Sequence, residues 1–441
     1  MFRCCLSIAV AMLLAAGVTP ILAQSSPSSD ATQQEAPVNG AKPSQTGTGL
    51  EDLPDSAAAP TPSATAESPA PTGNAEPTPS QRNPQAESVA EAKAPERKFT
   101  VSTWGGAYGQ AQKNAVVVPF GNSHGIEIEM LTDGDARALK GDVVELDAAA
   151  LDAACRSGNL VKVDLASLAT APDATGSTQR DFITRGVHEC GPASLVWSAV
   201  IAVNENALET GTPNVLQDVF DTKRFPGRRA FIKSPRYLLE MALIADGVAP
   251  EVIYQQLSTD EGLERAFAKL DSLGKDLAWK ETAKQTEEDL VNGAAVFAQT
   301  YNGQAFYAAA YGAPIRIIWD GQVYHMSFWA IPTEGSSREL AKEFVTFATA
   351  PKQLAAVAEE IAYGPARVSA TALVKQHASV GLDLTPYLPT RPENMARAVP
   401  FDAAWWTENG AQIDARFATW VEERDAALRP KPMPKPVRKP E

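Results

Sequence analysis

Between residues 99 and 350 the chain repeatedly exchanges short runs of β-branched and aromatic residues for longer helical patterns. Strands that alternate with helices pack as βαβ units, so this feature predicts an α/β fold with a mainly parallel sheet. Strands are expected at residues 126–131, 142–146, 230–232, 294–299, 315–319 and 323–331. Residues 196–203 (VWSAVIAV) form a continuous apolar run of the kind covered on both faces of a sheet. Helices are expected at 151–157, where Gly158 stops the turn, and at 262–273, 302–311 and 338–350. Another, amphipathic, is predicted over 236–245, with Ser234 as its N-cap and Pro235 at the first helical position.

The first unit, FTVSTWGGAYGQ at residues 99–110, looks built to hold a small molecule. Phe99, Val101 and Thr103 read as a strand and residues 110–118 as a helix, with Trp104 at the turn between them. Gly105 and Gly106 permit backbone geometry that a side chain would obstruct, and they let a ligand approach the main chain. An aromatic face and free backbone N–H groups then meet at the carboxyl end of a strand, where open α/β sheets bind their ligands. The same residues also suit a glycine turn beside a core tryptophan.

The flanks set the boundaries of this folded region. Residues 1–23 carry Arg3, an apolar run and a small-residue end, the pattern of a secretory signal peptide. Residues 24–97 are Pro, Ser, Ala, Thr, Gln and Glu with almost no large apolar side chains, too little to offset chain entropy, so a disordered linker is expected. Residues 429–441 alternate proline with basic residues and read as an extended basic tail. The roughly 330 residues between suffice for two lobes of ordinary domain size. No run after the leader reaches the roughly 18 apolar residues of a membrane span. A net charge of −14 without a basic patch excludes a nucleic-acid footprint.

Cys4 and Cys5 precede the apolar run and leave with the leader, so the exported chain keeps Cys155 and Cys190. In an oxidising compartment such a pair is most simply a disulfide. His124, His188, His325 and His377 show no ligand spacing, so no metal site is assigned. A zincin motif and a phosphate loop with lysine are missing. An enzyme is therefore not expected, and no catalytic residue or cofactor is assigned.

The order of segments resembles a known family. The residues that carry it are Trp104-Gly105-Gly106, Asp142-Val143-Val144, Gly158-Asn159-Leu160, Val196-Trp197-Ser198 and Phe225-Pro226-Gly227-Arg228-Arg229. Tyr301-Asn302-Gly303, Trp319-Asp320-Gly321, Ala330-Ile331-Pro332 and Tyr363-Gly364-Pro365 complete the series. From residue 99 to about 423 the chain is similar to the periplasmic solute-binding proteins of ABC importers (family 1 extracellular solute-binding proteins), in the branch of the spermidine/putrescine binders. The resemblance implies a two-lobed periplasmic-binding-protein fold of type II with crossing hinge strands and a ligand in the cleft. Lobe I would take residues 98–202 and 329–374, and lobe II residues 203–328 and 375–428. It further implies a periplasmic monomer, an inner-membrane ABC permease as partner, and a Cys155–Cys190 bridge stapling a lobe I helix to the loop before the hinge.

In the polyamine binders, aromatic side chains at the positions of Trp104, Tyr301 and His325 sandwich the methylene chain, and carboxylates hold the ammonium groups. Trp197 would lie near the first crossing strand. The present chain departs from that pattern where charge matters: acidic positions fall on Ser327, Ser234 and Tyr237, beside Lys233. Asp147, with Glu145 two residues earlier, offers carboxylate instead. The expected ligand is thus an amine-bearing, amino-acid-like solute, its ammonium end at Asp147 and its carboxylate at the helix N-terminus beside Lys233 and Ser234. His325 would titrate near neutral pH if it faced solvent. An exported adaptor or a protein feeding a sensor is the alternative class.

Overall fold

Two long strands cross the middle of the molecule, β5 (Gly191–Asn204) and β9 (Ile315–Ala330), and everything else is hung on them. In this computed structural model the described residues are 98–429 apart from 132, 165–167, 169–177 and 210. The expected leader, the linker and the tail beyond Arg429 lie outside them. The remaining strands are β1 (Phe99–Ser102), β2 (Ile128–Leu131), β3 (Val143–Asp147), β4 (Val187–His188), β6 (Arg229–Ile232), β7 (Leu277–Lys280), β8 (Phe297–Tyr301), β10 (Gly364–Pro365) and β11 (Val399–Pro400).

They form one mixed sheet in the order β2-β1-β3-β9-β5-β8-β6-β7, with β4 and β10 paired to β5 and β11 to β9. At each end the pairs β2-β1-β3 and β8-β6-β7 are parallel, as the alternation of strands and helices requires. The centre is antiparallel, because β9 returns against both β3 and β5 and β8 runs against β5. Val196, Val200, Ile201 and Val203 leave β5 buried on both faces, which a β-branched apolar run permits.

The expectation of separate strands at 315–319 and 323–331 is corrected here. The gap between the two expected strands is a bulge inside one strand: the register moves from Ala199 opposite Val323 to Ile201 opposite Ile318. Gly321 absorbs it at φ +69, where a Cβ would stand 2.3 Å from Leu216. The helix expected from residue 110 starts earlier, at Gly106, and continues through a π turn at Lys113–Val117 to His124.

Among the described residues two large apolar cores and two smaller clusters lie along the sheet. One large core gathers Phe99, Val101, Phe120, Leu146, Val196, Phe328, Trp329 and Phe344. The other large core gathers Ile201, Phe231, Leu238, Phe267, Phe297, Ile318, Trp406 and Phe417. The second core is tied to its loops by Arg229, fully buried, whose guanidinium donates to the carbonyls of Val219, Phe225 and Gly227 and lies over Phe297. Gly227, at φ +121, admits Val296 where a Cβ would collide. Cys155 and Cys190 form the expected disulfide, joining the end of the helix Ala148–Arg156 to the start of β5.

The helix Leu238–Ala245 is buried all round, not amphipathic as expected, and it carries Glu240 into the second core. Glu240 Oε1 accepts from Trp406 Nε1 at 2.7 Å and from the Tyr254 hydroxyl at 3.1 Å. Burial nonetheless pushes its carboxyl up to about 7. A raised carboxyl contributes stability fully present below the ordinary pKa near 4.5 and lost as pH rises through 7. Wild-type protein should therefore lose about 2 kcal/mol more than Glu240→Gln between pH 5 and pH 8, measured by urea unfolding across that range.

Candidate ligand-binding site

Strand register sets the candidate residues in a row. Asp147 on β3 pairs with Ser327 on β9, His325 on β9 pairs with Trp197 on β5, and Ala199 on β5 pairs with Tyr301 at the end of β8. Positions two apart on a strand share a face, so Ser327 and His325 connect the two groups across the sheet centre. Trp104, at the end of β1, joins this row by donating its Nε1 to the Ser327 hydroxyl at 3.1 Å. Its ring packs on the first core, whereas Tyr237 and Tyr301 pack on the second.

The aromatic part of the row is a stack. Trp197 lies flat on His325, with centroids 4.0 Å apart and an interplanar angle of 3°, and Phe401 covers the opposite face at 4.3 Å. Tyr301 meets the Trp197 edge at 5.5 Å, and Tyr237 meets His325 at 5.5 Å. Both faces of the His325 ring are thereby occupied, which leaves an edge and not a face for a ligand. Its Nε2 is enclosed and has no hydrogen-bond partner among the described residues, and burial lowers its pKa to about 3. The imidazole therefore stays neutral; the solvent-facing position on which titration near neutral pH depended is not the one the ring takes. Phe401, which follows β11, has no local sequence signal; only the fold brings it to the histidine.

The two carboxylates of β3 differ in what surrounds them. Asp147 is partly exposed and caps the helix Ala148–Arg156, its Oδ1 accepting from the Ala150 N–H at 2.8 Å. Glu145 is fully buried beneath the helix Gly106–Gln112. It accepts from the Tyr108 hydroxyl at 2.6 Å, Ser194 Oγ at 2.6 Å, Gln112 Nε2 at 2.7 Å and Thr103 Oγ1 at 3.1 Å. Burial raises its pKa against those four donors. The same Ser194 hydroxyl lies 3.1 Å from the Ser327 carbonyl and shares its one hydrogen between the two acceptors, so Glu145 adjoins the strand that carries the row. The glycines beside Trp104 adopt φ +76 and +57, and a Cβ on Gly105 would meet nothing within 4 Å, so open space adjoins this backbone.

The helix start expected at Ser234 is corrected. The helix begins at Leu238, after Tyr237 at φ +67, and the Ser234 hydroxyl accepts the Arg236 N–H in a local turn. Pro235 and Arg236 lie before the first helical turn, so helix N–H groups are not presented beside Lys233. The exposed Lys233 uses its own N–H on the Lys280 carbonyl. Arg236 is held by Asp414 at 2.8 Å and lies over Trp406. A cavity of about 440 Å³ lies elsewhere, lined by Arg316, Trp319, Asp320 and Arg397, and involves none of the expected site residues.

A mixed sheet with two cores, and a row of rings and one partly exposed carboxylate that borders both, defines an α/β solute-binding architecture. Residues 105–381 match the bacterial extracellular solute-binding protein family, and the chain belongs to it. It is 32% identical over 343 residues to the gamma-aminobutyric acid-binding protein of Pseudomonas aeruginosa, covering 76% of this chain and 93% of that one. The spermidine/putrescine-binding periplasmic protein of Escherichia coli is 25% identical over 195 residues, 43% of this chain and 54% of that protein. A solved GABA receptor superposes with a TM-score of 0.57 at 25% identity, covering 74% of this chain and 97% of the receptor.

Proposed function

We propose that the protein captures an ω-amino acid of the γ-aminobutyric acid type in the periplasm and delivers it to an inner-membrane ABC permease. The two cores are the lobes that close on the ligand. The chain is exported by the leader at residues 1–23 and acts as a monomer, with no catalytic step. The observation that carries this reading is the charge of the row: one partly exposed carboxylate, Asp147, pairs with Ser327, to which Trp104 donates, at one end of a row that runs through His325 to Trp197 and Tyr301. Aromatic edges and faces suit a short methylene chain, and one carboxylate neutralises one ammonium group. A polyamine carries at least two such groups, and the positions that would answer the second are Ser327, Ser234 and Tyr237. The relationship to the Pseudomonas protein supports the same ligand class.

Calorimetric titration with 4-aminobutyrate, 5-aminopentanoate, putrescine and spermidine tests the reading. Binding of the ω-amino acids at least tenfold tighter than the polyamines is expected. Tight spermidine binding with the amino acids inert overturns it.

A further inference from the structure

The bridge between Cys155 and Cys190 has a third ligating side chain beside it. Among the described residues, Cys155, His188 and Cys190 are the one group of three potential metal ligands, the two sulfurs and a ring nitrogen lying within 4.8 Å of one another. We propose that these residues form a redox-gated zinc site, closed while the disulfide stands and opened when a dithiol reduces it. The dithiol gives two electrons and two protons to the bridge and closes into its own disulfide. Cys155 and Cys190 become thiols, and each releases its proton to water as zinc binds the sulfur. The bridge and the ion are then alternative staples between the helix Ala148–Arg156 and the start of β5.

The surroundings suit the ion. The two Cα atoms stand 5.9 Å apart, so both sulfurs can reach one zinc at about 2.3 Å without a backbone rearrangement. Pairing of β4 with β5 sets His188 opposite Gly191, which holds the imidazole beside Cys190. Its Nδ1 accepts the Cys190 N–H at 3.2 Å, so that nitrogen carries no proton and turns its lone pair toward the cysteine. The other nitrogen, Nε2, lies 3.8 Å from Oδ1 of Asp152, a residue of the helix that carries Cys155. A carboxylate behind the distal nitrogen is the arrangement that fixes the tautomer of a zinc-bound histidine. Glu189 Oε1 stands 3.6 Å from Cys155 Sγ and offers an oxygen as fourth ligand, while Lys162 holds its other oxygen at 2.8 Å. Two thiolates, an imidazole and a carboxylate favour zinc over magnesium or calcium, which take oxygen ligands. Cys155 and His188 are half-buried and Glu189 is exposed, so reductant and ion arrive from solvent.

The test takes protein purified from the periplasm of an expressing host, reduces it with dithiothreitol, removes the reductant without air and titrates zinc chloride by calorimetry. Reduced protein should take up one zinc per chain about 100-fold or more tightly than oxidised protein, with a heat that depends on the buffer because protons are released. Cobalt in place of zinc should give a thiolate charge-transfer band. His188→Ala should weaken uptake about tenfold or more, and the double variant Cys155→Ser/Cys190→Ser should bind as weakly as the oxidised protein. Urea unfolding of the same samples checks the fold: zinc should raise the midpoint of the reduced protein and leave that of the oxidised protein unchanged. Reduced protein that binds zinc no better than oxidised protein, uptake retained by the double serine variant, or an unchanged affinity in His188→Ala each overturns the site. None of these outcomes touches the ω-amino-acid reading.

Discussion

Replacing Glu145 with alanine is expected to destabilise the protein by about 3 kcal/mol or more, because four buried donors lose one acceptor in a single step. Tyr108, Gln112, Thr103 and Ser194 all converge on that carboxylate, and none can turn to water beneath the helix Gly106–Gln112. Glu145→Gln keeps an acceptor but sets an amide N–H against donors, so its loss should be smaller than that of alanine. Urea unfolding monitored by tryptophan fluorescence measures both. An alanine variant as stable as wild type would mean that water or a rearranged Tyr108 satisfies the network. Ligand affinity should fall with the alanine substitution as well, since Ser194 braces the strand that presents Ser327 and His325.

Asp147→Asn should weaken 4-aminobutyrate binding about 100-fold while changing the unfolding midpoint little. The two roles of this residue separate because the amide oxygen of asparagine can still accept the Ala150 N–H, whereas the charge proposed to face the ammonium is gone. Asp147→Ala removes the cap too and should lose about 1 kcal/mol of stability in addition. Calorimetry and denaturant unfolding on the same preparations distinguish these effects. An asparagine variant that binds as tightly as wild type would place the ammonium away from β3.

Several parts of the site are legible in the chain because they depend on chemistry confined to a few neighbouring residues. Gly105 and Gly106 take positive φ next to Trp104, as the paired glycines predict. Cys155 and Cys190 are joined, as expected of an exported pair. Other features mislead because a local signal is overridden by packing. Ser-Pro reads as a helix start, yet burial of Leu238 and Leu239 in the second core sets the first turn after Tyr237, whose strained backbone turns its ring toward Tyr301 and His325. The runs at 315–319 and 323–331 read as separate strands, yet β9 continues through the gap opposite an unbroken β5, and pairing on both sides draws the extra residues out as a bulge.

The chain by itself determined the alternation of strands and helices, the glycine turn at the indole, and the presence of two β3 carboxylates on one face. All three follow from residue type and a period of two along a strand. Tertiary structure alone decided which carboxylate is open to a ligand and that His325 is locked neutral between Trp197 and Phe401. Each of those depends on what a distant segment covers, and burial by a remote segment leaves no trace in the spacing of the residues that are buried.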